Sequence, residues 1–148
     1  MTSRNIYNNG AATGSSINLF IPVIPVAASR PRVSSYGAYY SKSYMTYRKD
    51  TQKFLSTIAK DYPITGNKVR NRTHYSVHTE FICHKPKTPS DPKSPRYDLD
   101  NMIKAIWDSI THAKMIWHDD MQIIKCSASK RYQEDGEQCG TKIIITKV

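Results

Sequence analysis

Apolar and polar positions along this chain sort into short patterned segments joined by proline-rich or glycine-rich breaks. The run INLFIPVIP, Ile17 to Pro25, is β-branched and closed by prolines, which predicts a first strand. The following VAASRPRVSSYGAYYSKS, with Pro31 and Gly37, reads as an exposed basic loop with room for a short hairpin. From residue 43 the period changes. Tyr44, Tyr47, Phe54, Leu55 and Ile58 recur at helical intervals until Pro63, predicting a helix over about 43–61. HYSVHTEFICHK alternates, with Tyr75, Val77, Thr79, Phe81 and Cys83 on one side and His74, Ser76, His78 and Glu80 on the other. That is a half-exposed strand.

Four prolines in KPKTPSDPKSPRY then forbid a helix or central strand and leave a stiff, extended, basic loop. Leu99, Met102, Ile103, Ile106 and Ile110 form one apolar stripe, with Asp100, Lys104, Asp108 and Thr111 opposite, predicting a helix from Leu99 to about Ala113. MQIIKCSASKRY and TKIIITKV read as two closing strands, a hairpin pair about the turn QEDGEQCG. The order strand, helix, strand, helix, strand, strand predicts an α+β fold, a single domain with a mixed sheet packed against helices. The domain is expected over residues 17–148, after a flexible tail over 1–16 rich in Asn, Ser, Thr and Gly.

Composition narrows the class. At 148 residues, with 39% hydrophobic and 23% charged positions, the chain is ordinary globular material able to bury a core. No apolar run approaches the roughly 20 residues of a membrane span, and the first residues lack the apolar core of a secretory signal, so a cytoplasmic protein without a membrane partner is expected. Cys83, Cys126 and Cys139 form no C-x-x-C pair, and a zinc site needs about four close ligands; buried thiols on strands are the expectation.

Charge is unevenly placed. Residues 1–97 hold 15 Lys/Arg and 4 Asp/Glu, whereas residues 98–148 hold 7 and 8. A basic surface of that size attracts polyanions by counterion release, and nucleic acid is the default partner. Arg30, Arg32, Lys85, Lys87, Lys93 and Arg96, on two proline-containing loops, are the candidate phosphate contacts. Tyr36, Tyr39, Tyr40, Tyr44 and Tyr47 are read as core and interface packing in preference to base stacking.

Against that background, five aspartates fall within 23 residues: Asp98, Asp100, Asp108, Asp119 and Asp120. While the chain is extended, a one-residue gap puts Asp98 and Asp100 on the same side. Asp98 also suits a helix N-cap, accepting from the amide of Asn101 or its neighbour, but capping leaves Asp100 and the Asp119-Asp120 pair unexplained. If the chain returns Asp120 to Asp98 and Asp100, the carboxylates need a cation or a proton to coexist. Hard oxygen ligands favour Mg²⁺, with Mn²⁺ as a substitute. Lys104, four residues after Asp100, is either its surface ion-pair partner or a cation for phosphate chemistry.

The text Asp98-Leu99-Asp100-Asn101, Lys104-Ala105, Asp108, then Trp117-His118-Asp119-Asp120 and Gln122 resembles the RusA family of Holliday junction resolvases, common in phages and prophages. IPVIPVAASRPRVSSYGAYYSKSY is similar to that family's first strand and basic loop, so the resemblance runs over about residues 17–147. It implies a homodimeric, Mg²⁺-dependent endonuclease without a small-molecule cofactor, cutting four-way DNA junctions symmetrically in recombination and repair, in a bacterial or phage-infected cell. An isologous dimer suits a two-fold junction. Asp98, Asp100 and Asp120 match the family's metal-binding carboxylates and Lys104 its required lysine; Asp119 and Asn101 are kept as supporting groups. Lys114 stands where family members often carry Gly, which predicts a different helix end, and the segment before Asp120 is one residue longer. The competing readings are a nuclease for flaps, forks or other replication intermediates, and a non-catalytic basic DNA-binding protein.

Overall fold

The computed structural model describes residues 16–67 and 72–148. The tail expected over 1–16 lies outside them apart from Ser16, which already belongs to β1. Strands β1 (Ser16–Ile21), β4 (Tyr75–Cys83), β5 (Ile123–Tyr132) and β6 (Gly140–Lys147) form one mixed sheet in the order β1-β6-β4-β5. A small separate hairpin pairs β2 (Arg32–Ser34) with β3 (Gly37–Tyr39). Two helices complete the fold: α1 (Lys42–Ile58), extended by a 3-10 turn Ala59–Asp61, and α2 (Leu99–His112). The α+β expectation holds.

Helix α1 starts where the Ser41 hydroxyl accepts the Tyr44 amide at 3.4 Å, and it buries Tyr44, Tyr47, Thr51 and Leu55, three or four residues apart. Helix α2 buries Met102, Ile106 and Ile110 against Val77 and Phe81 of β4, Leu19 and Ile21 of β1, and Ile143 and Ile145 of β6. Strand pairing aligns Asn18, Ile144, His78 and Ser127 across the sheet's other, more open face. There His78 Nδ1 meets Ser127 Oγ at 2.6 Å, and Glu80 meets Lys142 and Arg131.

Strand β1 is shorter than the apolar run that predicted it. Pro22 has no amide to continue the ladder, and pairing ends at Ile21–Thr141. The expected β5–β6 hairpin is not formed: β4 lies between them, parallel to β5 and antiparallel to β6. The physical reason lies in the two sequences. The apolar III of β6 requires neighbours on both sides, while Lys125, Ser127, Ser129, Lys130 and Arg131 tolerate an edge. A parallel β4–β5 pair needs a long crossover, and residues 84–98 with α2 supply it. The thiol expectation also fails in part, because Cys126 on the β5 edge is exposed and only Cys83 and Cys139 are buried. Burial pushes the Cys83 thiol up to about 11, with Cys139 close by adding to the shift.

The proline-rich crossover is strapped to β5. Lys130 Nζ donates to the carbonyls of Pro95 (2.8 Å) and Tyr97 (2.6 Å), and the Tyr132 hydroxyl donates to those of Asp91 (2.8 Å) and Ser94 (2.9 Å). These four bonds fix the chain as it enters α2. On the other side, the Ala28 amide donates to Asn101 O at 2.9 Å, tying the loop after β1 to the first turn of α2.

Gly140 opens β6 where β1 crosses closest. A Cβ there would run into the Phe20 ring and lie 2.6 Å from the Ile21 carbonyl, and a backbone atom cannot swing aside. Gly140→Ala is therefore expected to destabilise the fold by about 1–3 kcal/mol, read from urea or thermal unfolding.

Candidate active site

Asp98 stands at the N-cap position of α2 in extended conformation, but its carboxylate makes no capping bond to the backbone. Instead its Oδ2 accepts the Asn101 side-chain amide at 3.5 Å. Asp98 and Asp100 are both exposed, Asp100 in the first turn, where the helix dipole favours an anion. Capping therefore does not consume the Asp98 charge.

The segment after α2 determines where Asp120 lies. Ala113 closes the helix, and Lys114 takes the left-handed conformation (φ +55°), its amide donating to Thr111 O at 3.1 Å. The helix thus ends as a glycine would end it, with lysine bearing the strain, and the different end expected from Lys114 is not found. A second strained residue follows. Ile116 has φ +67°, and the Trp117 amide donates across it to Met115 O at 2.8 Å, a γ-turn of the rarer hand. A β-branched residue holds such a backbone only when its surroundings dictate it. Here Met115, Ile116 and Trp117 are all buried. The Ile116 amide donates to Tyr62 O (2.9 Å), its carbonyl accepts the Tyr75 hydroxyl (2.9 Å), and Trp117 Nε1 donates to Thr111 Oγ1 (2.7 Å).

The chain then enters a 3-10 turn, Asp120–Gln122, closed by a reciprocal cap. Asp119 Oδ1 accepts the Met121 amide at 2.8 Å, and Gln122 Oε1 accepts the amides of Asp119 (3.1 Å) and His118 (2.8 Å). Gln122 is 1% exposed and donates its own Nε2 to Thr73 O at 2.8 Å, so this one amide bolts the Asp119-Asp120 turn to the approach of β4. Its place in D-D-x-Q was legible; its anchoring role was not, because Thr73 lies 49 residues away.

The result brings Asp120 to α2. Burial, then the hydrogen bond and charge of Asp119 and the charge of Asp108, push the Asp120 carboxyl above the usual carboxylate range, while Lys104 opposes them. Lys104 Nζ pairs with Asp108 Oδ2 at 3.2 Å, so the partner of Lys104 is Asp108 and not Asp100. The hydrogen bond and charge of Asp108, with a smaller contribution from the charge of Asp120, raise Lys104 above its ordinary value. Asp108 stands in the motif and four residues after Lys104, the spacing of the pair it forms.

Among the described residues no three His, Cys, Asp or Glu side chains group closely enough to hold a metal ion. Asp98 and Asp100 thus lie at the start of α2, and Asp120 is placed with Lys104 and Asp108. The donor chemistry fits a hard divalent cation all the same, since Mg²⁺ keeps several waters and takes one or two carboxylates from a protein. Of the candidate phosphate contacts, Arg30, Arg32, Lys85, Lys87, Lys93 and Arg96 are all exposed, with Arg96 over the Tyr97 ring at 5.5 Å, next to Asp98. The tyrosines divide: Tyr44 and Tyr47 are buried, while Tyr36 at the β2–β3 tip is fully exposed and Tyr39 half-exposed.

The family model described as Endodeoxyribonuclease RusA matches residues 22–146. No curated protein matches the chain.

Removing the bolt tests this construction. Gln122→Ala leaves two amides and one carbonyl unpaired around a buried hole. It should lower stability by about 1–3 kcal/mol in chemical denaturation and slow DNA cleavage at least tenfold at temperatures where the variant is folded.

Proposed function

The chain belongs to the RusA endodeoxyribonuclease family, and from that premise we propose that it resolves four-way DNA junctions by divalent-metal-dependent, symmetric phosphodiester hydrolysis. As a family member it is an endodeoxyribonuclease of the Holliday junction resolving kind. The metal, the residue roles, the dimer and its place in the cytoplasm of a bacterial or phage-infected cell are our reading, with residues 17–148 as the catalytic domain. No helix among the described residues is long and apolar enough to cross a membrane.

The observation that carries the reading is the packing of the Asp120–Gln122 turn against α2, close enough for Asp120 and Lys104 to influence each other's charge. In this reading Asp98, Asp100 and Asp120 hold Mg²⁺, or Mn²⁺ in its place. Bound there, the ion would neutralise phosphate charge and lower the pKa of an attacking water. Lys104, oriented by Asp108, offsets the charge that grows on the phosphate oxygens as the bond breaks. Asn101 steadies the Asp98 carboxylate, and Asp119 shapes the turn carrying Asp120. Arg30, Arg32, Lys85, Lys87, Lys93 and Arg96 bind backbone phosphates and supply much of the affinity. A homodimer would present two such sites to the two opposed strands of a junction.

The test compares cleavage of a synthetic four-way junction, a fork and a linear duplex under one condition. Wild type is expected to cut the junction with Mg²⁺ or Mn²⁺ and not in EDTA, by paired nicks in opposed strands. Asp100→Asn and Asp120→Asn should bind the junction yet lose more than about 100-fold in rate, beyond what outer-sphere substitutions reach. Cutting in EDTA, or full activity in both variants, overturns the mechanism. Preferential cutting of forks replaces the junction with a broader branched substrate, and salt-sensitive binding without any cutting indicates a DNA-binding protein.

A further inference from the structure

Between α1 and α2 runs an open groove of about 590 Å³, within the range of small-molecule and nucleotide pockets. None of the candidate phosphate contacts named above lines it. One wall is α1, with Arg48 and Lys49; the other is α2, with Asp108 and His112; Tyr40 and Tyr44 close the end. Asp108 belongs to both this groove and the Lys104 pair, so the groove is continuous with the proposed reaction centre.

Arg48 is its distinctive feature. The guanidinium lies 5.3 Å from the Tyr40 ring centroid and 5.7 Å from that of Tyr44, and the two rings meet edge to face at 5.3 Å. Two aromatic rings therefore fix an exposed cation that has no carboxylate within ion-pair distance among the described residues. A guanidinium held against ring faces without a carboxylate partner keeps N–H donors that can grip a phosphate through paired hydrogen bonds. Lys49 adds a second cation. Asp108, the carboxylate on the groove wall, already has its charge offset by Lys104.

We propose that this groove is a DNA-backbone subsite, in which Arg48 grips a phosphate flanking the scissile link while Tyr40 and Tyr44 hold its guanidinium in place. The proposal rests on the nuclease reading and adds the path of the strand being cut: from the reaction centre at Lys104 and Asp120, past Asp108, into the α1–α2 groove. A backbone ligand, and not a free nucleotide, follows from the continuity of the groove with that centre and from the open, cationic lining. Arg48 is on this account a substrate-positioning residue.

Binding of a fluorescent four-way junction, followed by anisotropy over a range of salt in the Asp100→Asn background, tests it. Arg48→Gln is expected to weaken binding about 3- to 30-fold and to reduce the steepness of log Kd against log salt by about one, the signature of one lost phosphate contact. Arg48→Lys should keep the salt slope and lose a smaller part of the affinity. Lys60→Gln, an exposed cation beyond the end of α1, should change neither affinity nor slope by comparable amounts. If Arg48 merely caps the two tyrosines, Arg48→Gln lowers the melting temperature and leaves the slope unchanged. That result overturns the subsite, even while wild type still cuts junctions. A wild-type chain that neither binds nor cuts branched DNA overturns the nuclease reading, and the subsite with it.

Discussion

A helix carries its first turn away from its last at about 1.5 Å per residue, so a site that uses both the start of α2 and a later segment depends on the chain turning back sharply. In this protein residues 113–119 turn the chain back toward the part of α2 that carries Lys104 and Asp108. The reversal is accomplished by two left-handed residues that are not glycine, Lys114 and Ile116. Each is conformationally unfavourable by about 1–2 kcal/mol, and burial of Met115, Ile116 and Trp117 is what offsets that strain. The Tyr75 hydroxyl, the Tyr62 carbonyl and the Gln122 side chain then hold the turn at three points. The core's packing thus supplies the free energy that sets Asp120 against α2.

Electrostatics take over where packing ends. Asp119, Asp120 and Asp108 are like charges in a small volume, and the raised Asp120 carboxyl records their repulsion together with its partial burial. Lys104 opposes the rise of Asp120, yet it is committed to Asp108. These acidic residues stand on a chain of net charge +10, whose field as a whole favours polyanionic partners. The exposed Lys104–Asp108 pair contributes little to stability in itself. Its consequence is to orient the lysine.

How much of this was legible depended on the range of the interaction. Both helices were readable to within a few residues because the 3.6-residue repeat, Pro63 and the proline-rich loop before Leu99 are local signals. The alternation of β4 likewise foretold its half-open face. Strand order was not readable. Nothing near Gln133–Gly140 announces that the chain passes β4 after β5, so that β6 pairs with β4 and β1, since that choice is made by the burial needs of Ile143 and Ile145 far away. The site divided in the same way. Its motif residues stood in the text, and the convergence of Asp120 with Lys104 required a turn whose strain is tolerated only by tertiary packing. Lys114 misled because a missing glycine was read as a missing left-handed cap. The partner of Lys104 was ambiguous in the sequence, because Asp100 and Asp108 lie four residues away on either side.

The central claim is that Asp100 and Asp120, contributed by different segments, serve one metal-dependent step. A double-mutant cycle on Mg²⁺-dependent junction cleavage tests this most directly, with Asp100→Asn, Asp120→Asn and the combined variant measured under single-turnover conditions. Residues that act as a unit are strongly non-additive, so the double variant is predicted to be about as slow as the slower single variant. Rate losses that simply multiply would mean that the two carboxylates act independently, and would contradict the account.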